Sequence, residues 1–173
     1  MKNLNALAVS ISTLGALATF LALGPLSGVY LIWVAFIAWG AFYAFGADTA
    51  ALQKLVTCGI FGAFVAWVVA VLILAIPLAG ALGLPLWAAL AVGAGVVVVV
   101  LAANLPALAT IPATVFGFAA SFGYLLQTPE VLKLEVLLSP SLKNSLVVIS
   151  LSLIVGGIFG LLSARWGAAM TEK

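Results

Sequence analysis

From Ala50 to Ile76 the chain reads AALQKLVTCGIFGAFVAWVVAVLILAI. That run exceeds the roughly 20 apolar residues that cross a bilayer as a helix. Its one charge, Lys54, stands about one and a half turns from the start, close enough for its aliphatic stem to carry the ammonium back to the interface. Five further runs repeat the pattern: Leu4–Gly24, Val29–Gly46, Leu84–Ala103, Leu105–Leu126 and Leu146–Ala164. None alternates like a barrel strand, and backbone groups in lipid need partners within their own segment, so all six read as helices. The expected fold class is all-α: a polytopic membrane protein with six transmembrane helices, forming one integral membrane domain over residues 1–173.

Composition agrees. Of 173 residues, 66% are hydrophobic and 6% charged, against about 45–50% and about 25% in ordinary soluble domains. A soluble fold of this size cannot hide so much apolar surface. A net charge of +2 is too small for a phosphate-binding face, so no nucleic-acid partner is expected. Histidine is absent and the only cysteine, Cys58, lies inside an apolar run, where it reads as a small buried hydrophobe. With no clustered carboxylates or metal ligands, the sequence points to no catalytic residue, no metal, no cofactor and no enzyme activity.

The breaks between runs carry turn chemistry: Gly24-Pro25-Leu26-Ser27-Gly28, Ala47-Asp48-Thr49, Pro77 to Pro85, and Asn104-Leu105-Pro106. Asp48 reads as a cap for the third helix. Only Gln127–Asn144 is long and polar enough to be a true loop, and its mixture of Glu130, Lys133 and Glu135 with leucines and valines suits a short interfacial helix between Pro129 and Pro140. The first run, after Met1-Lys2-Asn3, is longer than a signal h-region and reads as a retained first span. Lys2, Lys54, Arg165 and Lys173 fall on one side of a six-span layout and Lys133 and Lys143 on the other, which favours cytoplasmic termini.

Two phrases recur in order. Gly40–Gly46 and Gly117–Gly123 share G-x-x-x-x-F-G, and Gly59-Ile60-Phe61-Gly62 matches Gly157-Ile158-Phe159-Gly160. Taken as a duplication, they divide the chain into halves 1–79 and 80–173. Three spans per half make the second copy inverted, an arrangement that transporters use to build a path at the repeat interface. Taken as composition, they are the small residues with which membrane helices pack. The Gly156-Gly157-x-x-Gly160 phrase likewise serves contact within one chain or in a homo-oligomer.

No span carries a central Asp, Glu, Lys or Arg, so coupling through a buried carboxylate is not expected. The fifth span is the least regular. Asn104, Pro112, Thr114, Gly117 and Ser121 bring proline-freed carbonyls and hydroxyls together with glycine, and Phe116 lies among them. In the second span Gly40, Phe42 and Phe45 supply a glycine and an aromatic stripe on which Trp39 also lies. These nine (Gly40, Phe42, Phe45, Asn104, Pro112, Thr114, Phe116, Gly117 and Ser121) are the candidate lining of a solute path. Their other reading is a kinked helix whose hydroxyls bond its own backbone, with aromatics in core packing. A shared cavity holding Thr114, Ser121 and Asn104 opposite Gly40 separates the two. Tyr30, Trp87 and Trp166, at span ends, read as interfacial anchors.

The layout resembles a known family, the small six-span bacterial inner-membrane proteins grouped as domain of unknown function 1097. The likeness lies in Gly40–Gly46 after a Trp-rich second span, in Ile111-Pro112-Ala113-Thr114-Val115-Phe116-Gly117, and in Gly157–Gly160. Position 113 is Ala where the family pattern leads one to expect Gly, and the loop after Tyr124 is longer. The resemblance implies a bacterial inner-membrane location and no particular activity. The residues themselves suggest a channel or transporter for a small, mostly neutral polar solute, or else a non-transporting scaffold or accessory subunit.

Overall fold

In the computed structural model, which describes residues 1–171, six helices of 13 residues or more account for most of the chain: α1 (Asn3–Leu23), α2 (Ile32–Ala44), α3 (Thr49–Ala75), α4 (Leu84–Leu101), α5 (Ile111–Gln127) and α6 (Ser145–Met170). There is no strand among the described residues. Leu4, Phe20 and Leu23 stand exposed on α1, and Val96, Val97, Val98 and Leu101 stand exposed on α4. A lipid solvent accepts such apolar faces and water does not.

Four helices are long and apolar enough to cross a membrane: Asn3–Leu23, Thr49–Ala75, Leu84–Asn104 and Ser145–Met170. The other two are apolar but short. The expectation of six full spans is therefore met for four, and the reason lies in the chain before each short helix. Residues 24–31 form turns rather than helix, so α2 has 13 residues, about 20 Å at 1.5 Å per residue. Residues 102–110 break into the 3₁₀ turns Ala102–Asn104 and Pro106–Leu108, leaving α5 with 17 residues, about 25 Å against a hydrocarbon core of about 30 Å. Pro106 and Pro112 cannot donate to a continuous helix.

Asp48 caps α3 as expected, its carboxylate accepting from the Ala51 N–H at 2.7 Å. The turn before it needs Ala47 at φ 57° and Gly46 at φ 122°, conformations that glycine adopts easily and alanine does not. The long loop is less helical than expected: it holds a 3₁₀ turn, Pro129–Val131, and a single helical turn, Leu134–Leu137. It is also tied to the bundle. Val131 and Leu137 are buried with Ala70 and Leu125, and the Trp67 indole donates to the Leu137 carbonyl at 2.7 Å.

The helices pack as two groups of three. In the first, α6 receives α1 and α2; in the second, α3 receives α4 and α5. The groups meet where α3 lies against α6, so the third helix of each sequence half packs mainly with the other half's helices. α2 runs parallel to α6, with the Leu31 N–H donating to Ser152 and Trp39 donating to Ser163. α5 runs parallel to α3, with Cys58 beside Ala107 at one end and Ala70 beside Leu125 at the other.

Candidate functional site

Helix crossings dominate the interior. A Cβ added to Gly117 would overlap the Gly59 carbonyl, and one added to Gly62 would overlap the Thr114 carbonyl. α3 and α5 thus touch backbone to backbone, the close approach that small residues permit in membranes. In the first group, a Cβ on Gly156 would overlap Ala35 and one on Gly160 would meet the Phe42 ring at 2.8 Å. The glycines of the Gly156–Gly160 phrase are therefore occupied within the chain.

The nine candidate residues divide accordingly. Thr114, Gly117 and Ser121 lie together on the buried face of α5. The Ser121 hydroxyl donates to the Gly117 carbonyl at 3.0 Å, and Thr114 to Thr110 at a long 3.5 Å. Phe45 and Phe116 stack across the two groups with centroids 6.4 Å apart. Phe42 is fully buried against Gly160. Gly40 faces open space, Pro112 is exposed in the first turn of α5, and Asn104 is exposed, donating to its own Leu101 carbonyl at 2.8 Å. Among the described residues, Thr114, Ser121, Asn104 and Gly40 do not share a cavity. Crevices lie elsewhere: about 230 Å³ beside Leu84 and Phe122, about 360 Å³ between α3 and α4, and about 650 Å³ on an outer face between α3 and α6.

The serines of α6 escape a reading of the sequence. Ser163 accepts from the Trp39 indole at 2.9 Å, pairs with the Tyr43 hydroxyl at 2.9 Å and donates to Gly160. Ser152 accepts from the Leu31 N–H at 2.8 Å and donates to Val148. Ser152, Gly156, Gly160 and Ser163 are spaced by three or four, so the available signal is a stripe of small residues longer than the glycine phrase alone. Tyr30 also departs from expectation. It is 2% exposed and donates to the Ala18 carbonyl, a packed residue rather than an interfacial anchor.

Across the seam between the groups, contacts are reciprocal. A Cβ on Gly59 would meet Leu153 at 3.0 Å, and one on Gly157 would meet Leu55 at 3.2 Å. A shift of 98 positions carries Leu55 onto Leu153 and Gly59 onto Gly157. The first recurring phrase finds no such support, because Gly117 sits in a crossing and Gly40 faces outward.

A family model described as "Protein of unknown function (DUF1097)" matches residues 8–168. The chain belongs to that family. No curated protein and no solved structure matches it. In this DUF1097 protein the matched residues include every helix crossing described above.

Proposed function

We propose that this DUF1097 protein is a gated membrane transporter for a small, mostly neutral polar solute, built from two inverted three-span halves. The observation that carries the reading is the reciprocal seam, Gly59 on Leu153 and Gly157 on Leu55. The helix pattern agrees with it: each half has a long helix, a short one preceded by non-helical chain, and another long one. Paired short or interrupted helices in corresponding positions are the features from which inverted-repeat transporters build a substrate site. The seam core, with Phe42, Leu55, Ile149 and Leu153, carries no charge, which suits a neutral solute. The separation of the candidate residues supports a closed state over a permanently open pore.

In this reading α2 and α5 are short spans that the bilayer accommodates by local thinning, with residues 24–31 and 102–110 at the interface, giving six spans. The basic residues Lys2, Lys54 and Arg165 then mark the cytoplasmic side of a bacterial inner membrane; Lys173 lies outside the described residues. A second reading, a non-transporting scaffold or accessory subunit, is favoured by the Thr114 and Ser121 hydroxyls, which bond their own helix.

Two measurements test this. Cysteine probes at Lys2 and Lys133 should label from opposite faces of the membrane; labelling from the same face contradicts six spans. Stopped-flow swelling of proteoliposomes against a panel of small polar solutes should reveal faster entry of one solute class. Folded protein that accelerates none would favour the scaffold.

A further inference from the structure

We propose that the outer face of α3 holds an anionic phospholipid, with its phosphate at Lys54 and one acyl chain in the groove that continues from it. A polar recess of about 240 Å³ is lined by Gln53, Lys54 and Thr57, with Pro106 and Ala107 opposite. An apolar groove of about 650 Å³ shares Thr57 and runs on past Ile60, Phe61 and Phe64, walled by Leu108 and Val147. Lys54 is exposed and makes no hydrogen bond or ion pair among the described residues. The nearby acid, Asp48, is engaged in capping α3.

Charge and length select the occupant. An ammonium at the end of α3, beside an amide and a hydroxyl, matches a phosphate oxygen that accepts charge-assisted hydrogen bonds. From Lys54 to Phe64 the helix rises about 15 Å, half of the roughly 30 Å hydrocarbon core and so the depth of one leaflet. A free anion would leave the apolar groove unused. A second copy of the chain would bury an unpaired cation against apolar helix, which is costly.

Native mass spectrometry of the whole protein, in detergent doped with equal phosphatidylglycerol and phosphatidylcholine, tests this. Wild type should retain phosphatidylglycerol in preference. Lys54→Gln should reduce that retention about fivefold, the factor one interfacial cation contributes at an anionic surface. Ile60→Trp, which fills the groove, should lower it too, while Lys143→Gln should leave it unchanged. Millimolar inorganic phosphate should not compete. Equal retention of both lipids, indifference to Lys54→Gln, or displacement by inorganic phosphate would each overturn the proposal.

Discussion

Gly117→Ala is expected to lower the thermal midpoint of the protein by about 6–12 °C, from roughly 3 kcal/mol of overpacking at about 2–4 °C per kcal/mol. The added methyl would overlap the Gly59 carbonyl, and it would also crowd the Ala63 backbone nitrogen at 3.1 Å. Both are main-chain atoms, so no rotamer change relieves the contact; α3 and α5 must move apart. Gly62→Ala should behave alike, because its Cβ meets the Thr114 carbonyl. Gly40→Ala and Gly93→Ala should shift the midpoint little, since nothing lies within 4 Å of either added carbon. Thermal unfolding of purified protein in detergent measures all four. A Gly117→Ala midpoint equal to that of Gly40→Ala would contradict the crossing.

Hydrophobic length and local chemistry are what the sequence makes legible. The Ala50–Ile76 run coincides to within one residue at each end with the helix Thr49–Ala75, and Asp48 caps it. Cys58 is buried, as its apolar surroundings imply. The lengths of α2 and α5 are only partly legible: turn chemistry at Gly24–Gly28 and Asn104–Pro106 marks the breaks, but the mostly apolar residues 29–31 and 107–110 that follow read as span and are not α-helical. Partner choice is also hidden. A glycine such as Gly40 and one such as Gly117 look alike in sequence, and only packing assigns the first to open space and the second to a crossing. The serine stripe of α6 is readable by spacing, but serine's ability to bond its own helix gives no reason to link Ser163 with Trp39.

The second large effect concerns the seam. If solute passes when the two helix groups move against each other, joining α3 to α6 should stop it. Gly157 is suited to this: its added Cβ would approach the Leu52 side chain at 2.5 Å, and replacing Leu52 with Cys removes the atom in the way. Leu52→Cys with Gly157→Cys, in a Cys58→Ala background, gives a pair that an oxidant can close and a reductant reopen.

Solute-driven swelling of proteoliposomes carrying that pair is the most direct measurement. Entry of the favoured solute is expected in reductant, with its abolition when the disulfide forms and its recovery on reduction. Entry that continues unchanged with the disulfide fully formed would contradict movement at the seam.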